Sequence, residues 1–548
     1  MLLRTTITGQ RTTNPRRGGF VIVAVLMVIA VLMLAAYQYS SLMDAEYLAA
    51  DRMRKTNEAR ILADSGIHYA CAMLADPDAF SGTLNSNPYD NPSVFQSVLV
   101  KESDNARAQG RFSLVSPNYA DQSVLTSGMA PMRFGMIDEG SKLNINALYA
   151  ADSTGQVLHD ALMKLTNMTD EIAWCIVDWV DPNDTESTGG AESQYYSSLS
   201  PPYQCKNGPL DTIEELLLVK GVTPLLLYGT DINRNGKTDP GEDDSLGFTL
   251  GWSAFLTVYS RERNVDSTGA KRVNLNGNDL NTLMTDLTTA VGADLANFII
   301  AYRIYGGTSS SSSGSGSGSG SGGSAPSPKG GGMGGGGGAT QSRPGSPAQL
   351  QQSVNQAITA QTQPKQRISS LFSLMGASVT VTSQNRQQPS MSFASPLTND
   401  GSSSDLLGTL LDKCTTSANA ELPARVNVNT APHDVLMALP GMTEQYVQSI
   451  INNRPTYLNG DAQDTTFNTV AWLISSGGMK STDLQALERY ITARTQVYRV
   501  ISVGHFDEVG PIARIEAVID VNQGKPRIVY YRDLTDQGRA VDPRTISQ

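Results

Sequence analysis

The most apolar stretch of the chain runs from Phe20 to Ala36 and follows a short basic segment without acidic residues. Its length is at the lower limit for a helix that crosses a hydrocarbon layer about 30 Å thick. The arginines before it favour a cytoplasmic location for that end. Good helix formers continue from Ser41 to Leu74, and Asp76-Pro77 predicts the end of the helix. The pattern predicts one long helix, half in a membrane and half packed on a soluble domain.

Alternating apolar and polar residues predict strands near both ends of the chain. The three predicted strands nearest the C-terminus, 496–503, 512–521 and 527–531, form a meander, with turns at Gly510-Pro511 and Asn522-Gln523-Gly524. Because one sheet would then contain both ends of the chain, the residues between them are predicted to be an insertion. The predicted strands are 111–115, 132–138, 496–503, 512–521 and 527–531.

The middle of the chain contains an internal repeat. A basic residue, an apolar residue, Asn, an apolar residue and Asn recur at 142–146, 272–276 and 425–429. Asn is a good N-cap, which suits the end of a short strand that enters a helix. Each copy precedes two predicted helices, at 157–165 and 170–180, 280–287 and 293–304, and 433–439 and 443–453.

Charge limits the functions that this insertion can have. In the third copy Leu439-Pro440-Gly441 resembles a helix-hairpin-helix turn, a unit that often binds the DNA backbone. Phosphate binding requires clustered Lys and Arg, but acidic residues outnumber basic ones around this turn and the chain has a net charge of −11. A structural hairpin is therefore favoured, and a membrane-anchored DNA receptor of the competence type remains an alternative.

Three interpretations fit the N-terminal segment: a signal peptide cut near Ala35-Ala36-Tyr37, a plain signal anchor, or a prepilin leader cut between Gly19 and Phe20. Arg16-Arg17-Gly18-Gly19 followed by Phe20 resembles the leader of type IV prepilins and type II secretion pseudopilins. Pilin-like proteins usually have Glu at the fifth mature position, which here is Ala24. Its absence is a hallmark of the general secretion pathway protein K family.

The segment from Ile176 to Tyr228 carries the most specific similarity. It resembles the inserted helical domain of protein K in the order of four short stretches, which are Ile176-Val177-Asp178-Trp179, Gly189-Gly190-Ala191-Glu192, Asn207-Gly208-Pro209-Leu210 and Val219-Lys220-Gly221-Val222.

The resemblance implies an α+β fold: a pilin-like long N-terminal helix on a small antiparallel sheet, with a large inserted, mostly α-helical (SAM-like/helix-hairpin-helix) domain. It implies a minor pseudopilin at the tip of the type II secretion pseudopilus, which initiates or caps assembly for protein export across the outer membrane. The implied partners are the I- and J-type minor pseudopilins and the inner-membrane secretion platform. The implied location is the bacterial inner membrane, with a single span, a methylated N-terminus at Phe20 and most of the chain in the periplasm.

Pattern and resemblance together divide the chain into eight segments: leader 1–19, transmembrane helix 20–36, pseudopilin helix and first strands 37–145, inserted helical domain 146–305, Gly/Ser-rich disordered linker 306–351, connecting region 352–424, second SAM-like/helix-hairpin-helix module 425–495 and C-terminal strands 496–548.

Two acidic segments are candidate calcium sites. The stretch 231–242 has the spacing of an EF-hand loop, with oxygen donors at alternate positions and Gly236 at the sharp turn. Its predicted ligands are Asp231, Asn233, Asn235, Lys237, Asp239 and Glu242. A second, weaker candidate comprises Asp178, Asp181, Asp184 and Glu192, where the resemblance to protein K would place calcium ligands. An acidic loop without an ion is the alternative in each case.

The remaining chemistry is sparse. The four cysteines form no CxxC pair, which gives no support to a zinc ribbon. Cys175 and Cys205 flank one loop and could form a disulfide in an oxidising compartment. The four histidines are scattered and no phosphate-binding loop motif occurs, so we expect no enzyme activity. A calcium-stabilised envelope scaffold unrelated to secretion is the third interpretation.

Overall fold

The computed structural model describes residues 18–105, 108–118, 132–232, 242, 250–308, 342–382, 390–457, 464–507 and 510–537. Helix α1 (Gly18–Ala75) ends directly before Asp76-Pro77, as predicted. An 18-residue window of this helix has a mean hydropathy of 3.0 and is not buried at all, so the helix is long and apolar enough to cross a membrane. Its other half is buried on the protein, through Ala59, Leu62, Ala63, Ile67 and Ala70.

A short helix and four strands follow α1: α2 (Pro92–Phe95), β1 (Val98–Lys101), β2 (Gly110–Pro117), β3 (Met132–Arg133) and β4 (Ile137–Asp138). Residues 132–138, predicted as one strand, are thus two. At the interruption the backbone bonds to the segment 88–91, with the Asn91 amide donating to the Phe134 carbonyl oxygen at 2.7 Å and the Met136 amide to that of Pro88 at 2.8 Å. Gly135 permits this close approach, because a Cβ there would lie 2.4 Å from the carbonyl oxygen of Tyr89. Strand β1 was not predicted.

The first repeat opens a unit that we call the first module (143–257). Strand β5 (Leu143–Asn144) pairs in parallel with β6 (Leu256–Thr257), so that Asn144 lies opposite Thr257. Between them are helices α3 (Ile145–Ala151), α4 (Gln156–Leu162), α5 (Asp170–Val180), α6 (Ser193–Ser197) and α7 (Pro224–Tyr228). A short strand, β7 (Glu262–Arg263), follows the module.

The second module (273–415) is built in the same way. Strand β8 (Val273–Asn274) pairs in parallel with β13 (Cys414–Thr415), and Asn274 lies opposite Thr415. The intervening elements are α8 (Leu280–Val291), α9 (Ala293–Tyr305), β9 (Gly307–Thr308), β10 (Arg343–Pro344), α10 (Pro347–Thr359), β11 (Ser378–Val381), β12 (Met391–Ala394) and α11 (Ser404–Lys413).

The second module corrects two predicted boundaries. The predicted linker 306–351 includes β9, β10 and the start of α10; residues 309–341 lie outside the described part. Helix α10 begins at Pro347 because Ser346 and Gln349 form a capping box before it. The predicted connecting region 352–424 contains α11 and β13, which close the module.

The third module (426–492) follows strand β14 (Glu421–Leu422), which pairs with β7. Strand β15 (Val426–Asn427) pairs in parallel with β16 (Ile491–Thr492), so Asn427 lies opposite Thr492. Its helices are α12 (His433–Met437), α13 (Glu444–Asn453), α14 (Trp472–Ser475) and α15 (Ser481–Leu487). The predicted internal repeat is therefore confirmed by three equivalent strand pairs.

The chain ends in the predicted meander of β17 (Val497–Phe506), β18 (Ala513–Asp520) and β19 (Arg527–Asp533). The antiparallel sheet has the order β1-β2-β17-β18-β19, with β3 on β2 and β4 on β17. Helix α1 crosses it so closely that a Cβ on Gly504 would lie 2.0 Å from the Ala59 carbonyl oxygen. Both ends of the chain thus form one sheet, and the three modules are inserted between its strands.

The described residues form three separate hydrophobic clusters. The largest runs continuously through all three modules, and a second lies between α1 and the sheet. A small third cluster comprises Val115, Ile137, Ile501 and Val503. A buried ionic group joins the sheet to the first module. Arg499 on β17 donates to Glu139 at 2.5 Å and to Glu516 at 2.6 Å, and Lys142 lies 3.4 Å from Glu139. Burial opposes ionisation of Glu139, but Arg499 and Lys142 outweigh it and lower its pKa to about 2.

Candidate metal centre in the first module

Three acidic side chains meet where helix α5 ends. Asp178 belongs to its last turn, Asp181 is its C-cap, and Glu192 is the N-cap of α6. One carboxylate oxygen from each lies within 4.8 Å of the others, and all three residues are buried. We call this group the acidic cluster.

Backbone amides of the loop 181–192 hold Asp178 in place. The amides of Ser187 and Ala191 donate to its Oδ2 at 3.1 and 3.0 Å. Gly190 allows the loop to approach this closely, because a Cβ there would lie 1.9 Å from Oδ2. Gly190 is a positioning residue that the sequence argument did not assign, although Gly189-Gly190 before Glu192 was visible in the sequence.

Glu192 is the most unusual member of the acidic cluster. It is 3% exposed, and neither carboxylate oxygen has a hydrogen-bond partner among the described residues. Burial, followed by repulsion from Asp178 and Asp181, raises its pKa to about 7. Burial also raises the pKa values of Asp178 and Asp181.

The donor set of the acidic cluster fits a hard cation. Within the described ranges no basic side chain forms an ion pair with any of the three carboxylates. Buried carboxylates are normally paired or bound to a metal, because an uncompensated charge is costly to bury. Oxygen-only coordination of this kind is typical of Ca²⁺ and unlike the N/S coordination of structural zinc.

Asp184, the fourth residue of this candidate, is not part of the cluster. It is exposed and accepts from the Ser193 amide and the Asn207 side chain, each at 3.4 Å. These hydrogen bonds lower its pKa. The structure therefore brings together three of the four predicted carboxylates.

The EF-hand-like loop lies mostly outside the described residues. Asn233, Asn235, Lys237 and Asp239 are not described, whereas Asp231 and Glu242 are. Asp231 is 4% exposed, and the bridge between Gly229 and Leu250 closes the base of this segment. Calcium binding by 231–242 stays a prediction.

The cysteines are all free thiols in the structure. Cys175 donates to the carbonyl oxygen of Gly189, and Cys205 to that of Asp178, each at 3.7 Å. The disulfide considered from the sequence, between Cys175 and Cys205, is not formed in this structure. Burial raises the pKa of both thiols to about 12.

The predicted processing site lies at the start of α1. The helical backbone is described from Gly18 onward, so the bond between Gly19 and Phe20 is within the first turn. Phe20 is 82% exposed. The rest of the predicted leader lies outside the described residues, and cleavage there stays a prediction.

Two histidines occupy equivalent places in the first and third modules. His159 lies 3.2 Å from Asp160 and 3.0 Å from Asp170, and His433 lies 3.0 Å from Asp434 and 3.1 Å from Glu444. In each case the acids follow the histidine by one and eleven residues. We call these the histidine bridges; aligning the repeats would have revealed them in the sequence.

The hairpin turn of the third module has no basic surface in the described region. Thr443 caps α13, accepting from the Tyr446 amide at 3.3 Å. Both arginines near this turn point inward: Arg454 donates to the carbonyl oxygen of Ala431, and Arg425 pairs with the buried Glu262. Phosphate contacts from this turn are therefore not favoured.

Comparisons with known proteins agree on one family. Family models described as Type II secretion system (T2SS), protein K match residues 141–228 and residues 426–494. These segments fall on the first module up to α7 and on the third module; the second module lies outside both.

A solved structure also resembles the chain distantly. It is the crystal structure of the GspK-GspI-GspJ complex from the enterotoxigenic Escherichia coli type 2 secretion system, with 10% identity and a TM-score of 0.32, covering 88% of this chain and 99% of that chain. At this TM-score the likeness determines neither fold nor partners. No curated protein sequence matches the chain.

Proposed function

Because the chain belongs to the type II secretion system protein K family and is a minor pseudopilin of that system, we propose that it lies at the tip of the pseudopilus. There it initiates or caps assembly for protein export across the outer membrane. Its role is mechanical and not catalytic.

This proposal rests on the difference in exposure between the two halves of α1. The apolar half is exposed along its length, whereas Ala59, Ala63 and Ile67 in the other half are completely buried against the sheet. An exposed apolar helix is unstable in water and needs lipid or neighbouring subunits around it. One helix can therefore serve first as a membrane anchor and then as the spine of a filament.

The inserted modules support the tip position. They occupy 143–492, and their continuous core fixes them to one another beside the sheet. A subunit in the filament shaft must be covered by further subunits, and so bulky an insertion would collide with them. At the tip there is space for it.

We place the protein in the bacterial inner membrane by α1, the one helix of the described residues that is long and apolar enough to cross a membrane, with its bulk in the periplasm. By family resemblance, its partners are the I- and J-type minor pseudopilins and the inner-membrane platform. The GspK-GspI-GspJ complex is named as an assembly of those proteins, and we extend this partnership to the present chain as part of the proposal.

The acidic cluster is proposed to hold a structural Ca²⁺. Asp178, Asp181 and Glu192 would supply carboxylate oxygens, and the ion would supply the positive charge that the described surroundings lack. The segment 231–242 is proposed as a second calcium site. Extracellular calcium modules bind with dissociation constants of order 10⁻⁴–10⁻³ M, which suits stabilisation and not signalling.

The tip assignment is tested in the native host with the full-length chain. Deletion should abolish secretion, and the wild-type chain should restore it and co-purify with the I- and J-type pseudopilins from mild detergent. By family resemblance Gly19→Val should block processing and fail to restore secretion, whereas the neighbouring Gly18→Val should restore it. Normal secretion in the deletion strain would contradict the proposal, as would retrieval of neither partner.

A further inference from the structure

A cavity of about 520 Å³ lies between the second and third modules. Cys414 of the second module and Arg489 of the third line it, together with Arg272 directly before the second module and Arg494 just after the third. Arg425, the basic residue of the third repeat, completes its positive lining. Ligand sites in proteins typically have volumes of about 300–1,000 Å³, so the size is suitable for a small molecule.

Two of these arginines are fully engaged with the protein. Arg425 binds both oxygens of Glu262 through its fork. Arg494 pairs with Asp412 and also donates to the carbonyl oxygens of Val265 and Asn468. Their charges are compensated.

Arg272 is different. It is 8% exposed, and within the described residues only its Nε is hydrogen-bonded, to the carbonyl oxygen of Asp412 at 3.0 Å. Its Nη1 lies 3.9 Å from Glu262, beyond hydrogen-bonding distance. The corresponding basic residues, Lys142 and Arg425, each have a closer carboxylate. Burial, followed by the neighbouring Arg494, lowers the pKa of Arg272 to about 10, although Glu262 opposes this shift.

The acidic residue that lines the cavity does not bind the terminal nitrogens of Arg272 either. Glu488 is the one acidic residue among the lining residues, and it accepts from the Leu371 amide at 3.1 and 3.3 Å. Arg489 lies over the ring of Tyr490, 4.7 Å from its centroid. Leu371, Leu411, Leu422 and Val470 belong to an aliphatic part of the wall, and many other lining residues are Ser, Thr, Asn or Gln.

We propose that this cavity binds a compact organic carboxylate. The terminal nitrogens of Arg272 form a fork that matches a carboxylate in two parallel hydrogen bonds. Arg489 adds positive charge at the same site, and the aliphatic wall receives the carbon chain. Free inorganic phosphate would satisfy the charge but leave the aliphatic wall without a contact.

The test uses the full-length protein in detergent, with sodium butyrate as the probe and sodium phosphate and chloride at matched ionic strength. Calorimetric titration should show butyrate binding more tightly than phosphate. Losing a charge-assisted hydrogen bond weakens binding by about tenfold or more, so Arg272→Gln should lose at least this factor. Arg272→Lys should retain part of the affinity, because it keeps the charge without the fork. Arg343→Gln, which removes an exposed arginine outside the cavity lining, should leave binding unchanged.

Arg489→Gln provides a second test if Arg272→Gln does not fold, and it should weaken butyrate binding by a smaller factor. Wild-type protein that binds butyrate no better than chloride overturns the proposal. Binding of phosphate but not butyrate overturns the carboxylate assignment, and an equal loss in Arg343→Gln overturns the location. A Leu-Leu dipeptide, tested as its free acid and as its amide, identifies the source of the carboxylate. If the free acid binds more tightly than both butyrate and the amide, the carboxylate is a polypeptide C-terminus. If butyrate binds at least as tightly as the free acid, the ligand is a free small carboxylate.

Discussion

In the first and the third module a two-residue strand that ends in Asn pairs in parallel with one that ends in Thr. Each module also has a threonine N-cap, Thr169 or Thr443, followed by an acid that belongs to a histidine bridge. The two modules differ where the capped helix ends. Its C-cap is Asp181 in the first module and Arg454 in the third.

That difference gives two modules of the same architecture different chemistry at the end of the capped helix. In the first module Asp181 joins Asp178 and Glu192 in a buried group of carboxylates. In the third module Arg454 points inward and donates to the carbonyl oxygen of Ala431. The repeat maintains the hairpin. We propose that the loop after the helix recruits a cation in the first module, whereas the third module has its own Arg454 at the equivalent position.

The largest expected difference between the modules is steric. Gly221 and Gly441 both have positive φ, +83° and +77°. A Cβ on Gly221 would also lie 2.9 Å from Cγ1 of Ile172, whereas a Cβ on Gly441 meets no atom within 4 Å. Gly441→Ala should therefore cost about 1–2 kcal/mol of backbone strain, and Gly221→Ala about 2–4 kcal/mol because overpacking is added. Urea unfolding of both variants measures this, and equal losses would contradict the packing of Ile172.

The second largest expected difference between the modules concerns calcium binding. Glu192→Gln should reduce the number of bound calcium ions by one, as counted by equilibrium dialysis, whereas Glu444→Gln in the third module should not change it. For dissociation constants of order 10⁻⁴–10⁻³ M, 10 mM calcium should stabilise the site by about 1.4–2.7 kcal/mol. The stabilising effect attributable to this site should disappear in Glu192→Gln. Unchanged stoichiometry in that variant would show that the acidic cluster holds no ion.

The smallest expected effect concerns the histidine bridge of the third module. Burial lowers the pKa of His433, but hydrogen bonds to Asp434 and Glu444 outweigh this and raise it above 6.5. Its stabilising contribution should be complete below the unfolded pKa and lost as the pH rises through the folded pKa. Because about a third of the side chain is exposed, the contribution should be only about 0.5 kcal/mol. Wild-type protein should lose more stability than His433→Gln between pH 5.5 and 8.5; parallel profiles would contradict the bridge.

Local pattern was sufficient for much of this fold. The end of α1, the C-terminal meander and the three Asn-containing strands follow from periodicity and capping chemistry, which depend on near neighbours. The partner strands β13 and β16 were missed because each has two residues and forms only when a distant segment returns. Strand β1 was missed for the same kind of reason.

The candidate site could likewise be predicted only in part from the sequence. Asp178, Asp181 and Glu192 were recognisable as acidic residues in a family-like segment, and the structure groups them. Asp184 could not be separated from them in the sequence, because its exposure depends on how the loop folds over Gly190. Arg272 resembled Arg425 in the sequence, and only the packing of the second and third modules shows that Glu262 binds one fork and not the other.

We propose that α1 begins at a processed Phe20 and acts as both anchor and filament spine. Mass spectrometry of the N-terminal peptide from native membranes tests this proposal most directly. We expect a peptide that starts with N-methylated Phe20. A peptide that retains Met1, or one that starts at Tyr37, would contradict it.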